Sequence, residues 1–134
     1  MQALRTGNPQ DAYIRQKIMT ASPVELIVML FEGLKKDMFQ AQRAIRKNDM
    51  ENAKLKIMHA QDIVAELASS LDLNVEMSAD LLDIYEFVII ELESVFNNKD
   101  ADKLDALMEI AGTFKDTWNE IHAQQTPGGL ELVE

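Results

Sequence analysis

Thr20-Ala21-Ser22-Pro23-Val24-Glu25-Leu26-Ile27 is a helix start written in side chains. The Ser22 hydroxyl can accept a hydrogen bond from the amide of Glu25, and the Glu25 carboxylate can accept one from the amide of Ser22. Pro23 falls at the first helical position, where a missing N–H costs nothing and a fixed φ helps. Ile27, Phe31, Leu34, Met38, Ala41 and Ile45 then recur at steps of four and three, which keeps them on one helix face to about Lys47. The stretch therefore divides the chain into a leader, residues 1–21, and a helical body.

Working outward, three more helices can be placed. Asn48-Asp49 breaks the first and caps the second, which runs from about Met50 to Leu71 with Ala53, Ile57, Ala60, Val64, Leu67 and Leu71 on its stripe. Asp72 to Met77 is a connection. The third helix runs from about Ser78 to Asn97 on the stripe Leu81, Tyr85, Val88, Leu92 and Val95. Asn98-Lys99-Asp100 is the next turn. The fourth runs from about Ala101 to His122 with Leu104, Leu107, Ala111, Phe114, Trp118 and Ile121 inward. No segment alternates with period two long enough to make a strand. Short connections place neighbouring helices antiparallel, so the expected fold is all-α, an antiparallel up-down four-helix bundle over residues 22–122. Residues 123–134 read as a flexible acidic tail, to which no function is assigned.

Composition narrows the function. The 134 residues contain no cysteine, which removes disulfides and thiolate metal sites. There is no run of 18 apolar residues, and a soluble, cytoplasmic protein is expected. The net charge of −10 is uneven. Residues 1–71 carry ten Lys/Arg and eight Asp/Glu, whereas residues 72–134 carry three and fifteen. Such an acidic half argues against nucleic acid and against insertion into anionic membranes. No catalytic residue, metal ligand set or cofactor motif emerges. Di-iron bundles need Glu-x-x-His pairs, but Lys56 precedes His59 by three and Asn119 precedes His122 by three. A bundle that carries phosphate on an exposed histidine is the signalling alternative, with His59 as the acceptor. Its position beside Ala60 reads instead as a boundary histidine with a partly buried ring.

Two places carry surplus apolar surface. In the leader, Tyr13, Ile14 and Ile18 share a loose face of a short amphipathic segment, residues 10–19. On helix three, Phe87-Val88-Ile89-Ile90 spans about 300° of the circumference at 100° per residue. Val88 belongs to the core stripe, which leaves Phe87 and Ile90 on flanks. Either this helix is central and the leader covers the flank, or the flank is a groove for an apolar partner. An uncovered flank would also support a weak dimer in the absence of a client. Methionines 29, 38, 58, 77 and 108 suit an adaptable groove or a core, and core is expected for most.

With these residues in view, the chain resembles the flagellin-specific export chaperones of bacteria, the FliS family. Asn8-Pro9, Ala12-Tyr13 and Thr20-Ala21-Ser22-Pro23 through Glu25-Leu26-Ile27-Val28-Met29-Leu30-Phe31-Glu32-Gly33 carry the specific part of the likeness. Ala60-Gln61-Asp62-Ile63-Val64, Glu66-Leu67 and Ser70-Leu71-Asp72 add to it. So do Leu81, Ile84-Tyr85-Glu86-Phe87 and Asp116-Thr117-Trp118. The chain departs from the family pattern at Gln10, Val24 and Ile89-Ile90. The resemblance implies a non-enzymatic chaperone that binds the C-terminal segment of flagellin in the cytoplasm. It would prevent premature polymerisation and help deliver flagellin to the flagellar type III export gate. A chaperone for a different flagellar client is the neighbouring alternative. The partner-binding residues expected from all this are Tyr13, Ile14, Ile18, Phe87 and Ile90.

Overall fold

The structure is a computed structural model of the chain. It describes residues 12, 13, 15, 16, 23–75 and 78–124, with side chains as far as Asn119. Ser22 lies outside the described residues, and with it the expected capping box. Pro23 does open the first long helix. Four long helices follow: α1 (Pro23–Arg46), α2 (Met50–Ser69), α3 (Ser78–Asn98) and α4 (Lys103–Gln124). No strand occurs among the described residues. In the leader, Ala12, Tyr13, Arg15 and Gln16 are helical and exposed.

One device makes both turns at one end of the bundle. Asn48 has φ 60° and Lys99 has φ 52°, in the left-handed region. After α1, the Asn48 amide donates to Ile45 O (2.9 Å) and the Asp49 amide to Ala44 O (2.8 Å). After α3, the Lys99 amide donates to Phe96 O (3.3 Å) and the Asp100 amide to Val95 O (3.0 Å). These are the paired bonds of a Schellman stop, which satisfy carbonyls the helix leaves orphaned. The following aspartate starts the next helix. Asp49 Oδ1 accepts from the Asn52 amide at 3.3 Å, and Asp100 Oδ1 from the Lys103 amide at 3.2 Å. At the opposite end the α2–α3 connection is stitched differently. Asp72 Oδ1 accepts from the Asn74 amide (3.0 Å), and the buried Ser78 hydroxyl donates to Asp72 O (2.6 Å).

Polar contacts give the register, and each shows antiparallel neighbours. Between α1 and α4, Gln42 Nε2 donates to Ala101 O and to Asp105 Oδ1, both at 2.9 Å, and Arg46 pairs with Asp102 at 3.1 Å. Between α2 and α3, Gln61 Nε2 donates to Ile89 O (3.2 Å) and Glu93 Oε1 (3.1 Å). Between α3 and α4, Lys103 pairs with Glu91 at 2.9 Å, and that hydrogen bond raises the lysine pKa. Between α1 and α2, the buried Asp37 carboxylate meets Nδ1 of His59.

The core is the expected set of stripes. Phe31, Leu34, Met38, Ala41 and Ile45 of α1 are buried against Ala53, Ile57, Ala60, Val64 and Leu67 of α2. Tyr85, Val88, Leu92 and Val95 of α3 and Leu104, Leu107 and Ala111 of α4 complete it. The central helix is α1, which packs along both α2 and α4, and not α3. Helix α3 lies mainly on α2 and meets α4 only sparsely. His59 sits at the boundary of the bundle, its side chain 66% exposed and its Nδ1 against the buried Asp37. Of the methionines, Met38 is wholly buried and Met108 packs against the core, while Met58 is 50% exposed. Ile63, one step beyond the α2 stripe, is buried between α1 and α2.

Candidate functional site

The sparse α3–α4 seam opens into an apolar groove of about 450 Å³ at the end of the bundle where α1 begins. Its walls are the ends of the core stripes. Ile27 comes from the first turns of α1, Leu67 and Leu71 from the end of α2, Leu81 and Tyr85 from the start of α3, and Phe114 and Trp118 from the second half of α4. Val75 of the α2–α3 connection adds an exposed apolar lip. The polar residues of its lining are Ser70, Asp72, Ser78, Thr113 and Thr117, and Tyr85 and Trp118 each add one polar group to an otherwise apolar ring.

The floor is aromatic. The Phe31 and Phe114 rings stack with centroids 5.9 Å apart and planes 11° from parallel. Tyr85 tilts against Phe114 at 6.0 Å and 54°. Such pairs are worth about 0.5–1.5 kcal/mol beyond their buried area, and they tie Phe114 and Tyr85 of the groove to Phe31 in the core beneath. Burial pushes the Tyr85 phenol above its ordinary pKa of 10.0. It remains a neutral donor across the physiological range. No described buried side-chain nitrogen or oxygen lacks a partner, so the groove hides no unmet polar group. What it can do chemically is bury apolar side chains. It has no group of acidic or histidine side chains able to hold a metal ion among the described residues.

The site residues expected from the sequence fall elsewhere. Phe87 (50% exposed) and Ile90 (65% exposed) sit on the outward face of α3, nearly opposite the Tyr85–Val88–Leu92 stripe. They form a strip that the acidic Asp83 and Glu86 border, and they do not line the groove. Tyr13 is 67% exposed on the leader. Ile14 and Ile18 lie outside the described residues. By sequence the groove residues Ile27, Leu71, Leu81, Phe114 and Trp118 fall on the core stripes. Each is instead only partly buried. The four stripes run out together at this end of the bundle on large apolar residues, and periodicity does not say whether anything covers them.

Other exposed apolar side chains are scattered. Phe39 lies under the Arg43 guanidinium at 5.7 Å, and Leu55 points to solvent from α2. No described helix is long and apolar enough to cross a membrane.

Comparison with known proteins gives one family. The model of the family "Flagellar protein FliS" matches residues 6–125. The chain is 32% identical over 113 residues to the flagellar secretion chaperone FliS of Bacillus subtilis, covering 84% of this chain and 85% of that protein. It is 28% identical over 120 residues to the protein of the same name from Campylobacter jejuni, covering 87% and 92%. With that of Vibrio cholerae it shares 23% identity over 110 residues, covering 81% of each.

Proposed function

The chain belongs to the FliS family, and on that premise we propose that it is a flagellar secretion chaperone whose client is the C-terminal segment of flagellin. It holds that segment in the cytoplasm, keeps it from polymerising, and presents it to the flagellar export gate. The observation that carries the reading is the open groove of about 450 Å³ with its aromatic floor. A rigid bundle exposing such a surface suits a client that is disordered until bound. Ordering the client costs conformational entropy, and burial of apolar side chains offsets that cost. The groove is the first seat. The Phe87–Ile90 strip on the far side of α3 is a second, reached by a client that wraps round the helix. Tyr13, Ile14 and Ile18 of the leader complete the proposed binding set.

The family replaces the signalling alternative built on His59. Its curated members are named as chaperones, not enzymes. The ring of His59 is exposed, but its Nδ1 is engaged by Asp37 and serves to tie α1 to α2.

The test is binding of the purified chain to full-length flagellin and to flagellin without its C-terminal segment. Tight binding to the first alone is expected. Equal binding to both, or none to either, would overturn the proposal, and a different flagellar protein captured in its place would move the client assignment to that protein.

A further inference from the structure

A second concave surface is polar and lies at the end of the bundle opposite the groove. It is a cleft of about 390 Å³ between the end of α1 and the start of α2. Three cations line it: Arg43 and Lys47 from α1 and Lys56 from α2. Gln40 and Asn52 add side-chain amides that can donate hydrogen bonds. Arg43 and Lys47 are one helical turn apart, as are Asn52 and Lys56, so each helix offers a polar row to the same cleft. From Gln40 to Lys47 that row is about 10 Å long at 1.5 Å per residue.

The chain has 23 acidic residues against 13 basic ones, so a surface cation has many carboxylates to meet. Arg46 pairs with Asp102, and Lys103 with Glu91. The side chains of Arg43, Lys47 and Lys56 join no ion pair among the described residues. Arg43 lies over the Phe39 ring, 5.7 Å from its centroid. Asp49 is the one carboxylate among the described lining residues, and it accepts the Asn52 amide at 3.3 Å as the cap of α2. A basic last turn suits the end of α1. Lys56, in the second turn of α2, answers to no such need. Three like charges around one cleft repel one another, and a bound anion removes that repulsion.

We propose that this cleft is a docking site for an acidic peptide segment of a second protein partner. Its cations are spread along two helices rather than aimed at one point, which suits carboxylates set along a chain better than one compact phosphate. No aromatic side chain is among the described lining residues, so a nucleic acid finds no stacking platform there, and the net charge of −10 repels a long polyanion. The site is separate from the client's groove: Ile27 in the groove and Arg43 in the cleft stand about 24 Å apart along α1 at 1.5 Å per residue. Client and acidic partner can therefore be held together, at the two ends of one helix.

The probe is a fluorescein-labelled peptide of alternating aspartate and alanine, with its asparagine counterpart as control. Anisotropy reads the affinity, and amide shifts in proton–nitrogen NMR spectra locate the peptide. It should bind at low salt, weaken as salt rises, and shift the amides of Arg43, Lys47, Asn52 and Lys56. Lys47→Glu with Lys56→Glu should weaken binding by about tenfold or more, whereas Lys99→Glu with Lys115→Glu, an equal change of net charge away from the cleft, should stay within about twofold. All four lysines are exposed or partly exposed, so far-UV circular dichroism should show parental helix content in both variants. Flagellin binding should be the same in both. Equal weakening by the two pairs would overturn the proposal, since net charge alone would then attract the peptide. So would equal binding of the asparagine peptide, or no binding at low salt. Inorganic phosphate that shifts these amides while the peptide does not would make the cleft a small-anion site. Shifts that follow protein concentration without peptide would give it to a second copy of the chain. Loss of flagellin binding in the cleft variant alone would make it part of the client's seat. Each of these three results overturns the assignment to a second partner.

Discussion

Replacing Trp118 with alanine should separate client binding from folding. Trp118 is half-buried on the second half of α4 and forms one wall of the groove. The free protein already covers most of the ring, so covering the rest contributes little. The larger loss is on the client side. An apolar side chain seated against the indole returns to water, at about 1.5–3 kcal/mol for a leucine-sized group. That weakens the dissociation constant by about 10- to 150-fold. Full burial of an aromatic residue would make its truncation cost about 3–5 kcal/mol of stability, and partial exposure near a helix end reduces this to about 2 kcal/mol. The variant should thus unfold at lower urea yet remain native in buffer. Binding of a fluorescently labelled flagellin C-terminal peptide, followed by anisotropy, reads the affinity. Leu55→Ser is the matched control: Leu55 is 62% exposed, lies outside the groove, and should leave affinity unchanged. A natively folded Trp118→Ala protein that binds within twofold of the parent would refute the assignment of the groove as the client's seat.

Phe87→Ser with Ile90→Ser should leave the melting temperature nearly unchanged, because both side chains face solvent; it should weaken client binding severalfold, and unchanged affinity would remove the second seat. Lys99→Gly should stabilise the bundle by about 0.5–1 kcal/mol in urea titration, since a lysine at φ 52° bears the left-handed penalty that glycine avoids; a loss of stability would mean that the lysine side chain matters more than its backbone. His59→Ala leaves the buried Asp37 carboxylate without its partner and should cost about 1–3 kcal/mol, much of it recovered by adding Asp37→Ala. A double-mutant cycle with no coupling would refute that account. Tyr85 has a folded pKa above its unfolded value near 10.0, so its contribution is complete below that pH and is lost as pH rises through the folded pKa. Stability should fall above pH 10 in the parent and less steeply in Tyr85→Phe, as chemical denaturation at stepped pH will show.

How much of this was legible in the sequence depends on what a helical stripe encodes. Stepping by three and four gives the direction in which a side chain points around its helix, and that reading held for Phe31, Met38, Ile57, Val64, Leu92 and Leu104. It does not give the order of the helices in the cross-section. The density of apolar residues at Phe87–Ile90 left open either a central α3 or a groove on its flank. The central position is taken by α1, whose stripe is flanked by small or polar groups such as Gly33 and Gln42 that admit neighbours on both sides. Asn48 was readable as a left-handed stop because asparagine tolerates that conformation. Lys99 was readable only as part of a polar break. His59 was legible as a boundary residue beside Ala60, but not as the partner of a carboxylate on α1. Only the pairing with Asp37 explains its position.

The groove itself was invisible for a different reason. Ile27, Leu71, Leu81, Phe114 and Trp118 continue their stripes correctly, so by angle they are core residues. Whether anything covers them is a question about distance along the bundle axis, which periodicity does not carry. The polar ties described between helices supply the missing coordinate. Gln42 to Ala101 and Asp105, Arg46 to Asp102 and Lys103 to Glu91 lie toward the end closed by the Asn48 and Lys99 turns, while Gln61 to Ile89 and Glu93 and His59 to Asp37 lie near the middle of the bundle. Hydrogen bonds demand fixed geometry, whereas apolar contacts do not. One half of the bundle is thereby held in register. The half that carries the groove is joined mainly by apolar contacts between the ends of the stripes, apart from the hydrogen bonds of the α2–α3 connection.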